Sequence, residues 1–359
     1  MTARPTRPPD SGSRTTKAVR DLAPSYFAVV MATGVLSVDL HDHSQDALST
    51  ALLWFAAVAY VLLVVLHGWR IASYGGTVRR DLSDPTRGFG FFTFVAGTNV
   101  LGTRLALDGR LVAALVLLVI GCLGGLLLGY AVPSMALLSR HDTPVVGQAD
   151  GSWLMWAVAS QSVAVLTATV EPSVGFGRSA LALVAIGAWS VGCALYIVVA
   201  VIVVFRLLSY DTKPDDVGPV YWVAMGAAAI TVLAGSQIAT MASAPAVAAT
   251  RDLVAAISIV FWTFGTWLIP ALLAVGWWRH VTHRIPLRYD PSVWSMVFPI
   301  AMYAAATLDL GRTDHLPVSA PVAAIGTWIA LGCWLLAAVA MVAHLVRTLA
   351  RRHEKRATG

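Results

Sequence analysis

The polar groups best placed to handle a small solute are few, and they sit among small residues. They are Thr33 and Gly34 in Ala32-Thr33-Gly34, Thr98 and Asn99 in Ala96-Gly97-Thr98-Asn99, and Ser160 and Gln161 in Ala157-Val158-Ala159-Ser160-Gln161. Two further runs, Gly226-Ala227-Ala228-Ala229 and Ala304-Ala305-Ala306-Thr307, complete a set of five. Hydroxyl and amide groups of this kind can replace part of a small solute's hydration shell weakly and at several places, which suits passage rather than trapping. Covalent chemistry is not signalled. No nucleophile–base pair or phosphate-cradling loop stands at usable spacing. Cys122, Cys193 and Cys333 lie singly in apolar stretches with no CxxC or Cys/His cluster, so they read as small buried thiols. No enzyme, cofactor or metal centre is expected.

The elements that must carry these groups are membrane helices. A chain of 359 residues with 57% hydrophobic and only 12% charged residues has too little polar surface for a soluble globule. About 20 apolar residues cross a bilayer core as a helix. Ten such spans are read, at 25–40, 48–73, 89–107, 111–137, 152–170, 179–208, 219–241, 253–278, 292–310 and 320–348. Lys and Arg gather at one side of these spans, leaving only Arg104, Arg110, Arg178, Arg251 and Arg312 on the other. The positive-inside rule then places both termini in the cytoplasm of a multi-pass plasma-membrane protein. It also explains the pI near 9.5 without nucleic-acid binding. Residues 1–20, rich in Pro, Arg and Ser, are expected to be a disordered basic segment with no signal cleavage site. Residues 21–349 form the membrane domain and 350–359 a basic cytoplasmic tail.

The chain repeats itself. Each odd-numbered span opens on an aromatic cluster: Pro24-Ser25-Tyr26-Phe27, Gly88-Phe89-Gly90-Phe91-Phe92, Gly151-Ser152-Trp153, Pro219-Val220-Tyr221-Trp222 and Pro291-Ser292-Val293-Trp294. The anchors Tyr26, Phe91, Trp153, Trp222 and Trp294 are 65, 62, 69 and 72 residues apart, one helical hairpin each. The even spans are long and uniformly aliphatic, which suits an outer, lipid-facing position. The odd spans hold the five small-residue runs. Those runs serve either close helix packing or an inner ring around an axial path. Aligned from the aromatics without gaps, Val30, Val95, Ala157, Gly226 and Phe298 become equivalent. Only the fifth is aromatic, and Pro299 follows it, removing a backbone donor. Phe298 is either a plug in a path lined by small residues or an ordinary packing residue.

Pro24-Ser25-Tyr26-Phe27 through Ala32-Thr33-Gly34, Gly97-Thr98-Asn99 with Gly102-Thr103-Arg104, and Trp294 through Phe298-Pro299 together resemble the tellurite-resistance and dicarboxylate transporter family. That family includes a bacterial tellurite-resistance channel homologue, a fungal malate permease and sulfite exporter, and the plant guard-cell slow anion channel. The resemblance runs from about residue 20 to 350. It implies a homotrimer of ten-helix protomers, each with its own pore inside five odd helices and surrounded by five even ones. It also implies that Phe298 occludes that pore, with Met302 and Tyr303 departing from some relatives just beyond it.

The pore lining expected from these residues is Thr33, Gly34, Thr98, Asn99, Ser160, Gln161 and Gly226, with Phe298 and Pro299 as gate. Arg104, at the far end of the third span, either attracts anions at the mouth or anchors its helix and pairs with Asp108. Carriers driven by protons or sodium place an ionisable group along the path. Here Asp39, Glu171 and Asp309 fall at span ends and read as solvated or capping carboxylates. The function expected is movement of small anions, chloride, nitrate, sulfite or a C4-dicarboxylate such as malate. The alternative is a proton-coupled dicarboxylate or sulfite exporter, or a tellurite-resistance transporter.

Overall fold

A computed structural model describes residues 14–139, 144–241, 244–287, 289–314 and 319–357. Arg4, Arg7, Arg140 and Arg288, used above for orientation, lie outside the described residues. All regular structure among the described residues is helical. The helices are α1 (Arg14–Arg20), α2 (Ala28–Asp42), α3 (Asp46–Ser83), α4 (Phe92–Leu107), α5 (Leu111–Leu138) and α6 (Met155–Val170). They continue with α7 (Arg178–Ser209), α8 (Val223–Thr240), α9 (Pro245–Trp277), α10 (Trp294–Asp314) and α11 (Ser319–Ala357).

The repeat read from the aromatics is a structural one. Each cluster forms a short 3-10 turn that runs straight into a helix: Pro24–Phe27 into α2, Gly88–Phe91 into α4, Gly151–Leu154 into α6, Pro219–Trp222 into α8 and Pro291–Val293 into α10. Proline fits the first position of such a turn because its missing N–H has no partner there anyway. The five turns touch in sequence, and the first also touches the last.

Eight helices are long and apolar enough to cross a membrane by length and composition: α3 and α5 through α11. The expected ten exceeds this by α2 and α4, which are short and carry Asp39, Asp42 and Arg104 in their last turns. Boundaries move as well. α3 continues ten residues past the expected 73, bending at Tyr74, whose φ −135°, ψ 38° is not helical. α9 begins at Pro245 rather than 253, because an Ala-rich segment stays helical through the charged Arg251 and Asp252, which ended the apolar reading. Residues 14–20, expected to be disordered, form α1. Arg70 is fully buried and donates from Nε to the Arg20 carbonyl at 2.9 Å, which ties this segment to α3.

The division between odd and even spans appears as burial. α2, α4, α6, α8 and α10 are mostly buried, whereas α3, α5, α7, α9 and α11 expose side chains such as Val58, Leu127, Val201, Trp267 and Leu336. α2 packs on α4, α4 on α6, α6 on α8, α8 on α10, and α10 returns to α2. Their small residues permit this closeness. A methyl added at Gly34 would meet Val100 of α4 at 2.7 Å.

Four of the exposed helices also reach to the buried helix of the next hairpin. Tyr60 of α3 meets the Thr98 hydroxyl of α4 at 3.0 Å. Trp189 of α7 donates to the Thr231 carbonyl of α8 at 3.0 Å, and Trp262 of α9 to the Thr307 hydroxyl of α10 at 3.0 Å. Trp334 of α11 donates to Thr33 of α2 at 2.9 Å, joining the last hairpin to the first. Among the described residues α5 has no such donor. It carries Gly121, Gly124, Gly125 and Gly129 instead, and an apolar crevice of about 500 Å³ lies there between α5, α6 and α7. Trp334→Phe removes one interhelical hydrogen bond and is expected to lower stability by about 1 kcal/mol. A lipid-facing control, Trp267→Phe, is expected to be near neutral. Thermal unfolding midpoints in detergent compare the two.

Candidate functional site

The five buried helices enclose a cavity of about 160 Å³ near their C-terminal ends. Each supplies residues at the same three positions, the first, fourth and eighth of an eight-residue stretch, which is one stripe of an α-helix. The stripes are Val35, Val38 and Asp42 of α2; Val100, Thr103 and Leu107 of α4; Ser162, Val165 and Thr169 of α6; Ile230, Leu233 and Gln237 of α8; and Met302, Ala305 and Asp309 of α10. Arg312 of α10 completes the lining. The polar lining is thus Thr103, Ser162, Thr169 and Gln237, with three charges at the mouth. Thr103, Asp309 and Arg312 were named from the sequence in other roles, and none of the seven was expected to line the path. Their common spacing was the available signal, but it is visible only once the helices are in register.

One turn deeper along the same stripes come Met31, Ala96, Val158, Gly226 and Phe298, all buried. The gapless alignment from the aromatics therefore slips by one residue in the first three hairpins, where it chose Val30, Val95 and Ala157. Phe298 is again the only aromatic of its level. It is inaccessible to solvent, and Gly226 of the neighbouring helix lies against it: an added methyl there would meet Phe298 Cε1 at 3.1 Å and Pro299 Cγ at 2.8 Å. The glycine leaves the space that the ring occupies.

The other residues expected to line the path are not among those lining this cavity. Thr33 accepts from Trp334, and Thr98 donates to the Phe94 carbonyl while meeting Tyr60. Ser160 donates to the Ala188 carbonyl at 2.8 Å, and Gln161 to the Trp189 carbonyl at 3.1 Å. Gln161 fills a notch left by Gly192 of α7, and Asn99 one left by Gly121 of α5. Asn99 touches the cavity only indirectly, donating from Nδ2 to the Ser162 hydroxyl at 2.9 Å. Gly34 lies in the contact of α2 with α4. A buried polar group with no water must bond to protein, and the long outer helices offer these side chains carbonyls and hydroxyls.

Arg104 is likewise not at an open mouth. It is buried at 1% exposure, donates from Nε to the Ser37 and Ser49 hydroxyls at 3.2 and 3.1 Å, and pairs with Asp108. It braces α2, α3 and α4. Arg104→Met is expected to lower stability by about 2 kcal/mol, since Asp108 keeps some access to water, and to leave relative anion permeabilities unchanged. Melting curves and reversal potentials measure both, and a shifted permeability ratio would return Arg104 to the conduction path. The cation that does face the cavity is Arg312, half exposed and bonded to Asp42 at 3.2 Å.

The carboxylates expected near water divide into three situations. Asp309 lines the cavity. Glu171 is buried and pairs with Arg178 at 2.7 Å. Asp39 is buried at 1% exposure with neither oxygen hydrogen-bonded.

Long apolar helices around shorter buried ones, with a cavity of mixed polar and apolar lining where the short helices meet, define a multi-pass membrane protein. The chain belongs to the voltage-dependent anion channel (SLAC1) family, whose pattern it matches over residues 21–347. It is 50% identical to an uncharacterized membrane protein of Mycobacterium tuberculosis over 157 residues, 44% of this chain and 80% of that protein. Two uncharacterized transporters of Methanocaldococcus jannaschii are 21% and 22% identical to it over 296 residues. Each match spans 80% of this chain, and 83% and 84% of those proteins. The resemblance read from the aromatic and Phe-Pro segments is thereby established.

Proposed function

We propose that this chain moves small anions through a pore on the axis of α2, α4, α6, α8 and α10, closed by Phe298. The observation carrying this reading is that five equivalent stripes line one cavity and that, one turn beyond its lining, the Phe298 ring packs against Gly226. In this reading the protein has ten spans: α2 and α4 cross with their leading turns, sheltered from lipid by their neighbours. The five exposed helices form an outer ring. The basic ends and both termini face the cytoplasm of the plasma membrane, and the cavity opens outward. Family membership supports anion transport and a role other than catalysis. Association as a homotrimer with one pore per protomer follows from the family resemblance and from the broad apolar faces of the outer helices.

Chloride, nitrate, sulfite and malate are the substrates to compare. The lining favours weak, multi-site binding, with hydroxyl and amide groups on apolar walls and no uncompensated cation. A second reading, a proton-coupled dicarboxylate or sulfite exporter, is favoured by Asp39, whose unpartnered carboxylate inside a membrane helix is the kind of group that carriers use. Proteoliposome flux of the four anions, with and without a pH gradient, decides between them. Flux independent of the gradient supports the channel, and flux that requires it supports the exporter.

A further inference from the structure

The mouth of the cavity holds the charges that face it among the described residues. Asp42 comes from α2, and Asp309 and Arg312 come from α10. At the same level α4, α6 and α8 contribute the neutral Leu107, Thr169 and Gln237. Arg312 is bonded to Asp42, so those two charges largely cancel. Asp309 lies one turn before Arg312; its carboxylate makes no hydrogen bond or ion pair with a described residue, and the charges of Arg312 and Asp42 act on it only through space. Neighbouring charges are engaged elsewhere: Arg104 and Asp108 bind each other, and Asp39 is enclosed outside the lining. The levels below are apolar except for Thr103 and Ser162, and low-dielectric walls strengthen the field of the net negative charge that the three groups leave when Asp309 is ionised.

We propose that Asp309 is a charge filter of this vestibule, setting how strongly the pore discriminates between monovalent and divalent anions. The inference rests on the cavity being the anion route. Repulsion between a fixed carboxylate and a passing ion scales with the ion's charge, and rate depends exponentially on that energy. Removing the carboxylate therefore multiplies a divalent ion's rate by the square of the factor gained by a monovalent one.

The test uses full-length protein carrying Phe298→Ala, in proteoliposomes at about pH 8.5 so that the carboxylate is ionised, with chloride and sulfate as probes and each ion compared with itself in the parent. Adding Asp309→Asn is expected to raise chloride flux about 5-fold and sulfate flux about 25-fold. Asp309→Glu, which keeps the charge, is expected to hold both near the parent values. Gln237→Glu adds a carboxylate at the same level of the cavity and is expected to lower the sulfate-to-chloride ratio. Equal factors for the two ions in Asp309→Asn would overturn the filter while leaving the anion path standing. If that variant does not fold, an unchanged ratio in Gln237→Glu overturns it. A parent that passes neither ion would overturn the path itself and the filter with it.

Discussion

Phe298→Ala is expected to raise anion flux by at least about tenfold, equivalent to lowering the barrier by about 1.4 kcal/mol. The ring is fully buried at a level where its counterparts are Met31, Ala96, Val158 and Gly226, so it is the largest group there. It lies one turn below Met302, just beyond the lining of the cavity. Gly226 gives it room, and Pro299 weakens the α10 backbone beside it, so a change of rotamer or a small bend could move the ring aside. Removing a buried Phe also costs about 3–5 kcal/mol of packing, so folded yield must be checked by size exclusion alongside flux. Phe298→Leu should fall between wild type and alanine. Unchanged flux in a well-folded alanine variant would identify Phe298 as core packing and end the gating proposal.

The second large effect is on stability. Gly151→Ala is expected to destabilise the fold by about 3 kcal/mol or more, because the added methyl would lie 2.3 Å from the Val220 carbonyl oxygen and 2.7 Å from Tyr221 Cα. Both obstacles are backbone, so no side chain can rotate out of the way. The clash falls where the turn Gly151–Leu154 crosses the turn Pro219–Trp222, one link in the series of touching turns that opens the five buried helices. The turn is already constrained by Asp150, which accepts from the Ser152 amide at 2.9 Å and whose carboxyl burial pushes above its ordinary range. Gly175→Ala is the control: nothing lies within 4 Å of its added methyl, and the expected change is within about 0.5 kcal/mol. A similar melting midpoint for the two variants would show that the turns can separate without loss.

The membrane character, the hairpin repeat and the contrast between buried and exposed helices were legible in the sequence. Each rests on the average chemistry of a whole helix: aliphatic surface against lipid in α5 and α7, small residues against neighbouring backbone in α2 and α4. Phe298 stood out in the sequence as one aromatic before a proline among small residues, and the structure places it as the one aromatic of its level. The direction in which a side chain points was not legible, since a helix buried among other apolar helices is apolar on every face and its pattern marks no preferred side. Thr33, Thr98, Ser160 and Gln161 could therefore be assigned to their helices, but not to the neighbours they bond. Arg104 had two readings until Ser37, Ser49 and Asp108 were brought around it. The one-residue slip between hairpins, the cavity stripes ending at Asp309 and the isolation of Asp39 depended on how five helices rotate and slide to close against one another. That outcome is set by side-chain contacts between residues far apart in the chain, such as Trp334 with Thr33, and no single helix contains the information.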